Sequence, residues 1–267
     1  MMTVAVNNYS ITWEKLPDDY QLDDEPVDNL NQPLLAAALS EALELVGRIQ
    51  EPMLIATNFG LCATVNGKFV IKAPDWVHVR SVLPDDSDQP RRSYTPNLEG
   101  EVPSIVMEFL SATEGGEYSS KPTYPPGKWF FYEQILQVPI YAIFEPATGL
   151  LEVYQLNSGR YQLQQPDANR RYWIAGIELF LGVWEGTKAD RTGYWLRWWD
   201  ESEQLLLWGV ELVEQERQAL EQERQAKEAA LQQAEQERQA KEAAVQQAER
   251  LAAHLRSLGI NPDQISS

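Results

Sequence analysis

Two acidic residues stand where β-strands ordinarily carry apolar ones. Asp75 opens the run Trp76–Val79 in IKAPDWVHV, and Glu108 interrupts the otherwise apolar Ser104–Leu110, SIVMEFL. A carboxylate inside an apolar strand must be paired, hydrogen-bonded or metal-bound, because burying it bare is costly. Two carboxylates on adjacent central strands, near a lysine, can hold a divalent cation and position a water for attack on a phosphate ester. The lysine can orient the nucleophile or neutralise the developing anion. Acids at strand ends often face solvent instead, and the pattern alone favours that plainer reading.

The elements that must position these residues follow from periodicity. Gln32–Ile49 has apolar residues at helical spacing with Pro33 near its first turn, which predicts a helix. Short β-rich runs follow at Met53–Thr57, Leu61–Val65, Lys68–Ile71 and Trp76–Val79, and Asn66-Gly67 between the second and third is a hairpin signal. Leu83–Val102 is polar and proline-rich and reads as a loop. Ser104–Leu110 suits a buried central strand. Lys128–Gln137 reads as a short helix. Ile140–Phe144 and Leu151–Leu156 read as strands joined by a turn at Ala147-Thr148-Gly149, with further β-type or mixed runs at Tyr161–Leu163, Trp173–Leu181 and Tyr194–Trp199. This order predicts an α/β fold, a mixed central sheet flanked by helices.

Composition narrows the function classes. One cysteine, Cys62, excludes an internal disulfide framework and fits a reducing, cytoplasmic compartment. Two histidines and one cysteine make a zinc site improbable, so a metal here would be a hard cation on carboxylates. No apolar run is long enough for a membrane span, and the N-terminus lacks the pattern of a secretory signal. The net charge is −18, of which residues 1–200 carry −12. A protein that grips the phosphate backbone usually presents a basic face, and none is visible. A metal-dependent site remains compatible, because the ion supplies part of the positive charge.

Three segments are expected: an acidic, irregular N-terminal extension (1–30) that offers a short strand around Ile11–Trp13, the α/β domain (31–200) and a charged helical tail (201–267). Within the tail EQERQAKEAALQQA (221–234) recurs as EQERQAKEAAVQQA (235–248), and the stretch Gln204–Leu258 has strong helix propensity. Gly259 and Pro262 supply a stop signal. The best heptad seam runs Leu220, Lys227, Ala234, Lys241, Ala248, Leu255, which is poor by coiled-coil standards. A solvated helix and a weak arm that pairs two copies of the chain are left as equal alternatives.

Several other polar residues have bland first readings. His78 lies between Val77 and Val79 and points to the opposite face, where a structural hydrogen bond is the expected role. Ser111 and Thr113 are read as ordering a loop, Arg91-Arg92 as a solvated pair, and Trp195, Trp198 and Trp199 as core or oligomer contacts. Gly115-Gly116 lacks the strand–helix context of a nucleotide-binding loop.

Four segments, in order, resemble the Uma-type restriction endonuclease family, a branch of the PD-(D/E)XK nuclease superfamily. Ala73-Pro74-Asp75-Trp76-Val77 is similar to its "PDxxxV" strand, and PSIVMEFLSAT (103–113) to "PxxVxEVLSPST". Lys128–Tyr132 is similar to the helical "KxxxY", and VPIYAIFEPATGLLEVYQL (138–156) to "GVPEYWLVDPxxxxVxVYRL". The resemblance spans roughly residues 32–199 and implies a restriction-endonuclease-like fold and Mg²⁺- or Mn²⁺-dependent cleavage of DNA. It implies Asp75 and Glu108 as metal ligands, with the backbone carbonyl of Phe109 completing the shell, and Lys128 as the catalytic lysine. Leu110 occupies the place where the superfamily often has lysine, and Lys121, in the long loop before Lys128, is a second candidate. Relatives that carry an acid or His on the first helix would place it near Gln32, Glu41 or Glu44. The alternative is a protein that keeps the fold without cutting and binds partners through its acidic body and helical tail.

Overall fold

The computed structural model describes residues 3–6, 9–17, 31–84, 90–111 and 116–259. Thr113, Gly115 and Pro262 lie outside them. Two compact units emerge, Met1–Gly209 and Val210–Ser267.

The first unit is built around a six-stranded mixed sheet in the order β11-β10-β9-β8-β6-β3. Its strands are β3 (Leu54–Ala56), β6 (Trp76–Val79), β8 (Ile105–Phe109), β9 (Ile140–Glu145), β10 (Leu150–Asn157) and β11 (Arg160–Leu163). β8 and β9 run parallel, while β6 and β8 are antiparallel. β8 therefore has a partner on both sides, and every one of its residues is buried. That is the setting expected for a near-continuous apolar strand, and Glu108 is the exception it must accommodate.

Each face of this sheet is covered. On one side lie helix α1 (Asn31–Leu45) and a three-stranded antiparallel sheet of β12 (Arg171–Ile174), β13 (Leu179–Lys188) and β14 (Arg191–Trp199). On the other lie the helix α2 (Lys128–Phe130, continued by a π-helical Phe131–Leu136) and a second sheet, β1 (Thr3–Val6), β2 (Tyr9–Thr12), β4 (Gly60–Val65) and β5 (Lys68–Lys72), with the two-residue β7 (Ser93–Tyr94) beside β4. The α/β class and the restriction-endonuclease-like arrangement are thus as read from the sequence.

Differences from the sequence reading have local causes. α1 stops at Leu45 rather than Ile49, because Gly47 adopts φ 68° and the Arg48 N–H returns to the Leu43 carbonyl at 2.9 Å, a left-handed helix stop. The Trp173–Leu181 run is split between β12 and β13, with Glu178 at φ 59° in the turn. β7 lies inside the predicted loop, where Ser93 and Tyr94 are buried and pair in parallel with β4. In the N-terminal stretch the short strand expected around Ile11–Trp13 forms as β2 and joins β4, with Ile11 and Trp13 in the core. The Asn66-Gly67 hairpin forms as expected, both residues having positive φ.

The C-terminal tryptophans of this unit are core: Trp195, Trp198, Trp199 and Trp208 are buried, and the Trp195 and Trp208 rings meet edge to face at 5.6 Å. Leu206 and Trp208, within the stretch grouped with the tail by composition, pack in this core. Helix α3, Gly209–Ser257, forms most of the second unit from Val210 onward, and none of its residues is buried. Its repeat places Glu221 with Arg224 and Glu235 with Arg238, ion pairs at i,i+3, and Glu223 pairs with Lys227 at i,i+4. A polar helix laced by such pairs is stabilised along its own length. It ends where Gly259 takes φ 76°. Among the described residues no helix is long and apolar enough to cross a membrane.

Candidate active site

Antiparallel register brings the two acids together. Trp76 lies opposite Met107 and Val77 opposite Val106, so one step along the ladder sets Asp75 beside Glu108. Side chains alternate across a strand. Val77, Val106 and Glu108 therefore share the face toward α2, while Trp76, His78, Met107 and Phe109 face α1. Asp75 Oδ2 accepts the Phe109 N–H at 2.6 Å, which fixes the carboxylate across the end of β8.

The third component comes from α2, a single α-helical turn, Lys128–Phe130, continued by a π-helical Phe131–Leu136. Wide π turns inside helices are frequent at functional sites. The helix begins at Gly127, where a Cβ would lie 2.0 Å from the Ser119 carbonyl oxygen. Only glycine admits that approach, so the preceding loop is seated against the start of α2. Lys128 and Tyr132, four residues apart, project toward one target. Lys128 Nζ lies 2.9 Å from Glu108 Oε2, and the Tyr132 hydroxyl donates to Glu108 Oε1 at 3.0 Å. Lys128 Nζ also lies 3.5 Å from Glu117 Oε1.

The electrostatics are those of an under-compensated acidic cluster. Glu108 is fully buried, and burial pushes its pKa up to about 8. Asp75 adds to the rise, while Lys128 and Tyr132 oppose it. Burial likewise pushes Asp75 up to about 6, against the pull of the Phe109 N–H and the Lys128 charge. Burial works against the Lys128 ammonium, but Glu108 above all, with Glu117 and Asp75, holds its pKa above the ordinary lysine value. One cation thus faces three carboxylates. Raised carboxyl pKa values beside a specific charge partner are a signature of candidate functional sites.

A divalent cation fits this donor set. Carboxylate oxygens and a backbone carbonyl are the hard donors that Mg²⁺ and Mn²⁺ take. Among the described residues no group of three His, Cys, Asp or Glu side chains could hold a metal ion. Two carboxylates completed by a carbonyl, water and substrate phosphate oxygens are the usual Mg²⁺ arrangement. The Phe109 carbonyl accepts a hydrogen bond from Gln32 Nε2 at 2.8 Å and retains a second lone pair.

Of the residues singled out in the sequence, Asp75, Glu108, Phe109 and Lys128 come together, and Gln32 is the first-helix residue that reaches them. Glu41 is elsewhere, holding Lys188 and the Gly209 N–H. Lys121 is exposed, its backbone carbonyl receiving the Gly127 N–H, whereas Lys128 meets Glu108. His78 is buried on the far face, stacked on Trp76 at 6.4 Å, and burial together with the Arg80 charge lowers its pKa to about 4. Arg91 is bound to Glu99 at 3.1 Å rather than solvated. Two site residues escaped the sequence reading. Tyr132 lay in view as the last residue of the quoted "KxxxY", while Glu117, in an irregular loop, carried no signal at all.

Among curated proteins nothing matches the chain. The model of the Uma2 family, described as "Putative restriction endonuclease", matches residues 25–185, a span that contains every residue of the site. That span is more than half of the chain and its geometry agrees with the PD-(D/E)XK nuclease superfamily, so the protein belongs to the Uma2 family.

Proposed function

We propose that the chain hydrolyses phosphodiester bonds of DNA at the Asp75–Glu108–Lys128 corner, with Mg²⁺ or Mn²⁺ held by Asp75, Glu108 and the Phe109 carbonyl. The observation that carries this reading is Glu108, fully buried in the central strand, bound to Lys128 at 2.9 Å and flanked by Asp75. When bound, the cation supplies an acidified water and stabilises charge on the phosphoryl oxygens.

The chain's own residues do the rest. The Phe109 N–H orients Asp75, the Gln32 amide orients the Phe109 carbonyl, and the Tyr132 hydroxyl fixes the second oxygen of Glu108. Lys128 keeps its proton and offers a charge-assisted donor to a phosphate oxygen whose negative charge grows during displacement. Its bond to Glu108 holds it there before substrate arrives. A single buried Cys62 fits work in a reducing cytoplasm.

The test is conversion of supercoiled plasmid in Mg²⁺, in Mn²⁺ and in EDTA, beside calorimetric titration of Mg²⁺ into wild type and Glu108→Ala. Cleavage in the metals alone, and binding lost in the variant, support the reading. The absence of both metal binding and cleavage overturns it.

A second reading, a nuclease fold that serves as an interaction scaffold, is favoured by the net charge of −18 and by the exposed 49-residue helix α3. In that case α3 pairs with a second copy of the chain. Removal of residues 210–267 would then convert a dimer into a monomer in solution, and an unchanged oligomeric state would exclude that role.

A further inference from the structure

The loop that brings Glu117 to Lys128 also presents two tyrosine rings to solvent. Tyr118 is 48% exposed and Tyr124 51%. Neither ring hangs loosely. The Tyr118 hydroxyl donates to the Glu152 carboxylate, and its ring stacks on Trp129, the residue after Lys128, with centroids 6.4 Å apart and planes 27° from parallel. The Tyr124 hydroxyl donates to the Phe69 carbonyl at 3.2 Å, and Lys68 Nζ stands 4.8 Å from its ring centroid. The loop itself is anchored by the Gly127 N–H on the Lys121 carbonyl and the Tyr141 hydroxyl on the Glu117 carbonyl.

We infer that Tyr118 and Tyr124 are stacking platforms for unpaired bases, so that the substrate of the neighbouring site is a single-stranded or locally unpaired nucleic acid. The inference rests on the phosphodiester-cleaving reading above. Three observations converge on it. Rings pinned at their hydroxyl ends yet about half exposed lose little freedom on stacking, which is how tyrosine contributes contact at low entropic cost. A base inside a duplex has no face to offer such a ring, whereas every unpaired base does. Charge points the same way. Duplex binding draws on a broad basic surface, whereas this chain carries a net charge of −18. Exposed lysines do accompany the rings: Lys121 lies between them in sequence and Lys68 sits beside Tyr124. A few lysines tracking a backbone whose bases are held by stacking suit a single strand.

The experiment measures fluorescence anisotropy of a labelled oligothymidylate and of a labelled duplex of equal length. It uses the full chain in Ca²⁺, beside cleavage of both in Mg²⁺. The expected result is tighter binding of the single strand, with roughly tenfold lost in each of Tyr118→Leu and Tyr124→Leu, in line with the cost of removing one stacking ring. Tyr118→Phe, which keeps the ring and loses the Glu152 bond, should retain most of the affinity. Trp173→Leu, a partly exposed aromatic on β12 outside this loop, should change nothing. Near-ultraviolet circular dichroism checks that each variant keeps its packing. Metal-dependent cleavage with single-strand affinity unchanged in both leucine variants would overturn the platform and leave the nuclease reading standing. Preference for the duplex would do the same. Absence of binding and of cleavage for either oligonucleotide would remove both.

Discussion

The molecule contains two lysine–glutamate pairs that look alike on paper and differ in what surrounds them. Lys188 and Glu41 meet at 2.5 Å, and Lys128 and Glu108 at 2.9 Å. Glu41 is partly buried, which pulls its pKa upward. Lys188, the Gly209 N–H and the charge of Arg197 together outweigh that, and the carboxyl lies below its ordinary value. Glu108 receives a lysine and a tyrosine too, yet complete burial and the nearby Asp75 carry it up to about 8. The first pair is an acid with more positive partners than it needs, and it fastens α1 to β13 and the residue at which α3 begins. The second is an acid left short of positive charge in a buried strand. Such a shortfall costs stability, and under the proposed function a bound cation and a substrate phosphate would complete the balance.

Removing the shortfall should have the largest effect. Glu108→Gln and Asp75→Asn are expected to lower plasmid cleavage by at least about 10²-fold, as for loss of a group that stabilises transition-state charge. Their thermal midpoints without metal should not fall. Lys128→Met should lose activity on a comparable scale, while Lys121→Met should leave the rate constant for bond cleavage unchanged. If the Lys121 variant is the silent one in single-turnover assays, the assignment of the lysine is correct.

The opposite pattern belongs to the structural pair. Glu41→Ala strands Lys188 and the Gly209 N–H and should cost about 1–3 kcal/mol in urea unfolding. Its cleavage rate per folded molecule should match wild type. A reduced rate in the folded protein would erase the distinction between the two pairs.

The pH dependence separates them again. A carboxyl whose folded pKa is raised contributes stability that is fully present below its unfolded pKa and lost as pH rises through the folded value. For Glu108 that window runs from 4.5 to about 8, and for Asp75 from 3.8 to about 6. The midpoint of the metal-free protein should therefore decline across this range, apart from contributions of other groups. Glu108→Gln should flatten the decline, and Mg²⁺ should offset it at its upper end. Glu41→Gln should leave the loss at the upper end of the range in place, because a lowered carboxyl acts with the opposite sign and at lower pH. The smallest effect is expected from Tyr132→Phe. It withdraws a hydrogen bond that favours ionised Glu108, so the acidic limb of the pH–rate profile should move upward by less than about one unit.

Much of this site was legible before any coordinates. Asp75 and Glu108 stood out because charged residues in apolar strands demand an explanation, and Lys128 and Tyr132 lay within a short motif. Glu117 was not legible, because an acid in an irregular loop gives no periodic signal. Nor could spacing choose between Lys121 and Lys128, whose separation depends on how the loop folds back onto Gly127. In the fold, the Asn66-Gly67 hairpin was readable from local backbone preference. β7 was not, because Ser93 and Tyr94 carry no strand pattern and pair only because β4 offers them an edge.

The amino-acid sequence by itself determined most of the longer elements, the alternation that puts Glu108 on one face of β8 and Phe109 on the other, and the self-paired polar helix α3. These are properties of a few consecutive residues, fixed by steric periods of two and 3.6 residues. Tertiary structure alone decided that Asp75 lies beside Glu108, that one particular lysine of the two reaches it, and that Glu41 on the first helix serves the scaffold while Gln32 serves the site. Those outcomes depend on strand order, register and burial. Residues dozens of positions apart settle them together, and no local spacing encodes them.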